Sequence, residues 1–305
     1  MTIETVVYEH VTWTNVEQPT EADMRILHER YPHFHPLDLE DCLSRIERPK
    51  IDEYDEYLFI VMHFPIFDRR QRISRPAEVD FFIGHGYLVT VHDGILQPIA
   101  GFFDLCQQDE AVREQYFTSS GRLLHAVIDR LVDYLFPILN KVEANIREIE
   151  EDIFTEDMRR IVQGISFVRR DIIALRRIVR PQPAIVANLE RVDRPYIREE
   201  LDVYFGDILD HLNKARDIID DDYEVVEGLS ATSDTLTSYR TNDVMKMLAI
   251  ITITFSFLEA MTGLYGMNLA WLPLASRPYA FFVLVGLMLL GIGGILIYFR
   301  HRRWL

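Results

Sequence analysis

Two stretches near the C-terminus limit what this chain can fold into. Residues 247–267 (MLAIITITFSFLEAMTGLYGM) carry one charge, Glu259, and residues 279–299 (YAFFVLVGLMLLGIGGILIYF) carry none. Each is 21 residues long, and a helix of that length rises about 31 Å, the hydrocarbon thickness of a bilayer. A purely soluble protein is excluded. The overall composition hides this, because 49% hydrophobic and 26% charged residues over 305 positions describe an ordinary globular chain of one or two domains.

Charge is distributed just as unevenly. The first 246 residues hold 28 of the 32 Lys and Arg and 47 of the 48 Asp and Glu, a net charge of −19. Such a domain repels nucleic acid and anionic lipid and attracts cations, although solubility alone also accounts for an acidic surface. No nucleic-acid partner is expected. The two cysteines, Cys42 and Cys106, make no disulfide framework and suit a reducing cytosol. The N-terminal MTIETVVYEHVTW has no basic region followed by an apolar run, so no cleaved signal is expected.

Basic residues flank the apolar pair on one side only: Arg240 and Lys246 before the first stretch, Arg300, Arg302 and Arg303 after the second. The connecting segment 268–278 (NLAWLPLASRP) has a single Arg. The positive-inside rule therefore puts both termini in the cytoplasm of a cell-membrane protein and the short loop outside.

The first 118 residues carry β-branched and apolar runs at 3–8, 57–64, 79–83 and 87–91, with Gly84 and Gly86 marking a hairpin between the last two. Thr20-Glu-Ala-Asp predicts a capped helix start, and Pro36 opens a second helix over 37–44. A sheet of four or more strands with helices on one face follows as an N-terminal α/β domain over 1–118. Residues 119–194 are a helical pair, with one helix over 121–152 and another over 156–179 stopped by Pro181 and Pro183. From Pro195 to Gly266 no proline interrupts, which predicts a stalk helix over 195–246 continuing into the first membrane span. A 3-4 spacing over 201–236 selects Leu201, Phe205, Ile208, Leu212, Ala215, Ile219, Asp222, Val226, Leu229, Ser233 and Leu236, a coiled-coil-like seam. A helix of about 108 Å has nothing to pack on along its length in a monomer, so the seam predicts self-association. The fold class is α+β.

The same spacing continues into the membrane and gathers Asn242, Met245, Ala249, Thr252, Ser256, Glu259, Gly263 and Gly266 on one stripe. Thr254 and Thr262 lie off it. Intramembrane polar groups face protein or water, so the stripe is either a helix–helix contact seam or the lining of a conduit built by a symmetric ring of helices. Glu259 favours the conduit, since no basic residue in either span neutralises it.

Tyr265-Gly266-Met267-Asn268, directly after the first of two C-terminal spans, resembles the YGMN signature of the CorA family of divalent-cation (magnesium/cobalt) transporters, the two-TM-GxN superfamily. Thr241-Asn242-Asp243-Val244-Met245-Lys246-Met247-Leu248 resembles the family's approach to the membrane, and Arg300-His301-Arg302-Arg303-Trp304-Leu305 its basic tail. Pro49-Lys50-Ile51 with Tyr54 and Tyr57-Leu58-Phe59 is similar to its PKxxxYxxYLF segment. The resemblance spans essentially the whole chain. It implies a funnel-shaped homopentamer in which 247–267 lines the pore, 268–278 is external, 279–299 is an outer span and 300–305 a cytoplasmic tail. It also implies Mg²⁺ influx, with Co²⁺ or Ni²⁺ as further ions. Gly266, Met267 and Asn268 would then form a selectivity ring that holds a hydrated ion through neutral oxygens, though Gly and Asn also simply end helices. Asn242 would be a polar ring, and Met245 with Leu248 a hydrophobic constriction that gates by dewetting; Met and Leu at this spacing also serve ordinary packing. Phe205-Gly206-Asp207-Ile208-Leu209-Asp210-His211 resembles the stalk segment in which Asp207 supplies a regulatory carboxylate, so that internal Mg²⁺ bound between subunits closes the ring.

Departures from the family pattern qualify this. Phe257 stands where a Pro is frequent, which implies a straighter helix. Glu259 occupies a pore-facing position usually uncharged, and a ring of like carboxylates retains protons. The loop after Asn268 lacks an acidic residue, and Ala231 stands where a second stalk acid is expected. The competing expectation is a transporter of another divalent metal such as Zn²⁺, proton-coupled through Glu259; Met267 argues against the ZntB-like branch, where Val is frequent. A membrane-anchored scaffold is the non-transport alternative. An enzyme is not expected: His33 and His35 lack a third ligand nearby, no Gly-rich phosphate loop is present, and no organic cofactor is implied. Asp220-Asp221-Asp222 is a solvated acidic run whose last member interrupts the seam.

Overall fold

The computed structural model of the chain describes residues 3–44, 47–154, 157–191, 196–197, 201–267 and 279–304. The chain divides into two units, residues 1–230 and 231–305.

The first unit is built on six strands, β1 (Ile3–Tyr8), β2 (Val11–Glu17), β3 (Lys50–Glu53), β4 (Tyr57–Asp68), β5 (Ile73–Gly84) and β6 (Tyr87–His92), in the order β1-β2-β6-β5-β4-β3. All pairings are antiparallel except β2 with β6, which runs parallel from Thr12↔Tyr87 to Glu17↔His92. The β5–β6 hairpin turns through Gly86 at φ +79°, where a Cβ would stand 2.8 Å from the His10 carbonyl oxygen, so glycine is required there.

Helices cover both faces of the sheet, not one as the sequence suggested. On one face α1 (Glu21–Arg30) and α2 (Pro36–Asp41) seal a core containing Val16, Leu27, Phe34, Phe59, Phe82 and Val91. On the other, α3 (Gln97–Gln108) lays Phe102 and Phe103 against Trp13, at centroid distances of 5.4 and 4.9 Å. The reason is visible in β4. Its run YLFIVMHF is apolar at nearly every position rather than at alternate ones, and Tyr57 through Phe64 are all buried. A strand apolar on both sides needs cover on both sides.

The Thr20 cap forms as expected: Asp23 N donates to Thr20 Oγ1 and Thr20 N to Asp23 Oδ2. Further helices are α4 (Glu110–Tyr116), α5 (Ser120–Asp133), α6 (Leu135–Asp152), α7 (Met158–Val179) and α8 (Gln182–Arg191). The segment expected as one helix over 121–152 is thus two, breaking at Tyr134.

A 64-residue helix, α9 (Asp202–Tyr265), begins in the first unit and ends in the second. Its start at Asp202 is later than Pro195, which lies outside the described residues. Its seam corrects the expectation drawn from it. Phe205, Ile208, Leu212, Ala215, Ile219 and Val226 are buried within a single copy of the chain. His125 of α5 meets the Phe205 ring at 5.8 Å, Phe136 of α6 meets His211 at 6.0 Å, and Arg176 of α7 pairs with Asp220 at 2.8 Å. Arg169 of α7 pairs with Glu227 at 2.7 Å. The apolar spacing over 201–229 is satisfied by the chain's own helices and by itself says nothing about a second copy.

In the second unit α9 is followed by α10 (Ala280–His301). Both helices are long and apolar enough to cross a membrane. Among the described residues of the α9 span, Ile250, Thr254, Phe257, Leu258, Met261 and Tyr265 are the less exposed side chains of one face, and the Phe257 ring sits on Gly291 of α10. Close approach at a small residue is the usual means of packing membrane helices.

Candidate ion-conduction and metal sites

At about 100° per residue, the positions Asn242, Met245, Ala249, Thr252, Ser256, Glu259, Gly263 and Gly266 occupy a sector of about 120° on α9. Leu248 falls at the edge of the same sector, about 60° from Met245. The Phe257 face is nearly opposite. Within one copy, Met245 is 61% and Leu248 53% exposed, and Asn242, Thr252, Ser256, Glu259 and Gly263 are exposed as well. Of the expected pore residues only Ala249 is partly covered. Apart from Ala249, the stripe is therefore bare in a single copy of the chain.

The hydroxyl groups contribute less to the demand for water than their polarity suggests. Thr252 Oγ1 donates to the Leu248 carbonyl, Thr254 Oγ1 to Ile250 and Thr262 Oγ1 to Leu258, at 2.8, 2.8 and 3.0 Å. A threonine that bonds its own helix four residues back is satisfied even in lipid. On the stripe itself this satisfies Thr252, and Glu259 is the stripe's one ionisable side chain. At the end of α9, Gly266 N donates to the Thr262 carbonyl at 2.8 Å and closes the last turn. Gly266 therefore ends the helix, and Met267 follows, 52% exposed. Asn268 lies outside the described residues.

A second site lies in the first unit. Asp129 and Asp133 project from α5 and His211 from α9, with one ligand atom of each within 4.8 Å of the others. His211 Nδ1 is buried without a hydrogen-bond partner among the described residues and stands 4.0 Å from Asp133 Oδ1, too far for a hydrogen bond. Burial, then the neighbouring charge of Asp129, push the Asp133 carboxyl above its ordinary range, and Asp207 adds to this from one helical turn before His211. Two carboxylates and an imidazole offer a divalent ion O and N ligands together. Asp207, singled out from the sequence, is not one of the three grouped ligands, and Asp129, Asp133 and His211 were missed, because nothing in the spacing of Asp129 and His211 brings α5 and α9 together.

The segment resembling PKxxxYxxYLF turns out to be a tether. Tyr57 and Tyr54 hydroxyls donate to Asp38 Oδ2 and Oδ1 at 2.7 and 3.0 Å, and His35 N donates to the Tyr57 oxygen at 2.8 Å. Lys50 bridges Asp41 and Asp52 at 2.7 and 2.9 Å. Together these bonds hold α2 to β3 and β4. Burial still pushes the Asp38 carboxyl up despite both phenol donors.

Comparison with known proteins agrees with this architecture. The family model for CorA-like Mg²⁺ transporter proteins matches residues 8–302. YfjQ of Bacillus subtilis, described as a candidate metal ion transporter, is 31% identical over 292 residues, covering 96% of this chain and 89% of its own. The cobalt/magnesium transport protein CorA of Thermotoga maritima is 28% identical over 302 residues, covering 96% and 83%. The zinc transport protein ZntB of Pectobacterium atrosepticum is similar over a shorter stretch, 23% identical across 62% of this chain and 57% of its own. The complete structure of the CorA magnesium transporter from Methanocaldococcus jannaschii superposes with a TM-score of 0.85 at 21% identity, over 98% of this chain and 94% of that one. Likeness along nearly the full length, to transporters rather than enzymes, places this chain in the CorA family of divalent metal ion transporters.

Proposed function

We propose that the chain is a gated, passive channel for hydrated Mg²⁺, built as a homopentamer around the α9 stripe. The observation that carries this is the bare stripe itself: its small and polar side chains lie nearly opposite the face that meets α10, where only further copies can enclose them. Gly266, Met267 and Asn268 form the outer selectivity ring, and repeated neutral oxygens there hold Mg²⁺ without stripping its water. Thr252, Ser256, Glu259, Gly263 and Ala249 line the conduit, Met245 and Leu248 constrict it, and Asn242 forms the inner polar ring. Both termini are cytoplasmic, so the membrane potential drives a divalent ion inward with about 4.6 kcal/mol per 100 mV. Internal Mg²⁺ bound at Asp207 and the neighbouring Asp129, Asp133 and His211 holds the channel closed. Removing it leaves like charges that repel.

A second reading rests on Glu259 and on the imidazole of His211. A carboxylate ring in the membrane can carry protons, and a nitrogen ligand suits Zn²⁺, Co²⁺ or Ni²⁺ better than Mg²⁺. That reading is proton-coupled transport of such a metal.

Purified protein in liposomes separates the two. Mg²⁺ entry followed by an internal dye, lost in Asn268→Ala and indifferent to a pH gradient, supports the channel. Absence of Mg²⁺ entry, with Zn²⁺ or Co²⁺ flux that follows the proton gradient and fails in Glu259→Gln, establishes the coupled transporter instead.

A further inference from the structure

The end of α10 is closed by the chain's own backbone. Arg302 N donates to the Tyr298 carbonyl, Trp304 N to the Phe299 carbonyl and Arg303 N to the Arg300 carbonyl, each at 3.0 Å. Arg303 takes φ +57°, a left-handed conformation that non-glycine residues adopt rarely and chiefly at helix stops. The turn folds the chain back, and the Trp304 ring stacks on that of Phe299 at a centroid distance of 5.4 Å and an interplanar angle of 28°. Arginines near a helix end commonly donate to its last carbonyls. Here backbone N–H groups take those of Tyr298, Phe299 and Arg300, which leaves the guanidinium groups of Arg300, Arg302 and Arg303 over. All three residues are exposed, and none has a carboxylate partner among the described residues. No acidic side chain follows Glu259 in the chain. Lys246, by contrast, is paired with Asp243 at 2.8 Å.

The place of these cations decides what neutralises them. Arg300 directly follows the last apolar residue of a helix long and apolar enough to cross a membrane. Three further residues rise about 4.5 Å at most, so the group stays at headgroup depth. Tyr298 and Trp304, 55% and 43% exposed, bring to the same end the two ring types that favour that layer. The Arg302 guanidinium lies 5.8 Å from the Tyr298 ring centroid. A guanidinium fork matches a phosphodiester with two parallel hydrogen bonds. The helix dipole places about half a negative charge at this end, which three guanidinium groups outweigh.

We propose that Arg300, Arg302 and Arg303, framed by Tyr298 and Trp304, bind the headgroup of an anionic phospholipid in the leaflet that meets the C-terminal end of α10. The ligand is a phosphodiester without an ammonium group, such as phosphatidylglycerol. Phosphatidylcholine carries the same phosphate, but its quaternary ammonium cancels the charge and is repelled by neighbouring guanidinium groups. A carboxylate of the acidic first 246 residues is the competing occupant. The stack of Trp304 on Phe299 favours the lipid, because it keeps the tail against the end of the span instead of extending it into solvent. The site is independent of which ion the protein carries.

The test reconstitutes the full-length protein carrying Trp271→Phe in phosphatidylcholine vesicles with a minor fraction of phosphatidylglycerol. Bromine on the acyl chains of one lipid or the other quenches nearby indoles. Trp13 is wholly buried in the sheet, so Trp304 is the reporter. At equal mole fraction, brominated phosphatidylglycerol should be preferred beside Trp304 by about tenfold or more. Arg302→Gln with Arg303→Gln should cut that preference at least about fivefold. Arg302→Lys with Arg303→Lys, which keeps the charge and loses the fork, should retain part of it. Excess inorganic phosphate at constant ionic strength should leave it in place. Equal quenching by the two lipids overturns the proposal and leaves the tail to the chain's own carboxylates. A preference that survives the Gln pair overturns it too, as does one removed by inorganic phosphate, which marks a site for a free anion. Should the Gln pair fail to insert, high salt on the Trp271→Phe protein decides: screening abolishes a preference held by charge, and one indifferent to salt overturns the proposal.

Discussion

The aromatic ring of Phe257 on α9 rests on Gly291 of α10, in the space a Cβ would fill. The helix bonds on unbroken through Phe257 to Tyr265, so this bulky residue packs the two spans together without interrupting α9. Gly291→Ala forces the ring to swing aside and is expected to cost about 1–3 kcal/mol by overpacking. Phe257→Ala introduced into the same chain should recover part of that loss. Thermal melts of the detergent-solubilised single and double variants measure the coupling, and strictly additive effects would show that the two residues do not touch in the protein.

Asp222 interrupts the apolar seam of α9 and is 8% exposed, with Oδ2 lacking a partner among the described residues. Burial first, then the charges of Glu143 and Asp221, raise its pKa to about 6 from 3.8. Between those values the folded chain keeps a proton that the unfolded chain has lost, so this residue's contribution to stability falls as pH rises from about 4 to about 6. Above that window the full penalty remains, on the order of 3 kcal/mol at most. Asp222→Asn should match the wild-type protein near pH 4 and surpass it near pH 7. Denaturant titrations at the two pH values measure the difference, and a stability gap independent of pH would rule out this origin.

Divalent ions should stabilise the first unit through the Asp129–Asp133–His211 group. His211→Ala is expected to weaken Co²⁺ binding by about tenfold, equivalent to about 1.4 kcal/mol. Mg²⁺, which has little use for a nitrogen ligand, should lose less. Asp133→Asn should weaken both ions. Calorimetric titration of each variant gives the comparison, and equal losses for the two ions in His211→Ala would remove the imidazole from the ligand set.

Tyr57→Phe deletes the donor to Asp38 Oδ2 and the acceptor for His35 N together. Leaving buried polar groups unmatched costs about 1–3 kcal/mol, and the loss should appear as a lower denaturation midpoint. Tyr54→Phe removes only the bond to Asp38 Oδ1 at a less buried position and should cost less.

These cases show where sequence was a sufficient guide. The membrane spans, the capping of α1 at Thr20, and strands β1 and β6 follow from patterns local in the chain. So does the buried spacing of Phe205, Ile208, Leu212 and Ile219, but not what buries it. A periodic apolar stripe reports that a face is covered, and is silent on whether another copy or the chain's own α5, α6 and α7 covers it. Strand β2 (VTWTNVE) was missed because Thr12, Thr14 and Asn15 break up its apolar pattern. Asn15 Oδ1 accepts from Thr90 Oγ1 at 2.6 Å, and Thr90 Oγ1 accepts from Trp13 Nε1 at 3.0 Å. Those partners lie on β6, some seventy-five residues along the chain, where no local rule can see them. The Asp129–Asp133–His211 group was illegible for the same reason, whereas the both-faced burial of β4 was written in its unbroken apolar run.

The parallel pairing of β2 with β6 also sets an order of assembly during synthesis. The β1–β2 hairpin is made first, yet it remains a loose edge until residues 87–92 are translated and slot between it and β5. The helical side of the unit waits longer still, because α5, α6 and α7 are capped only when residues 201–229 arrive. Contacts so distant in sequence form slowly and leave sticky surface exposed meanwhile. A nascent chain stalled near residue 200 would carry a finished sheet with an open apolar trough beside it. One released at Ser230 would have that trough filled, so a soluble fragment of this protein should be cut after the first part of α9, not before it.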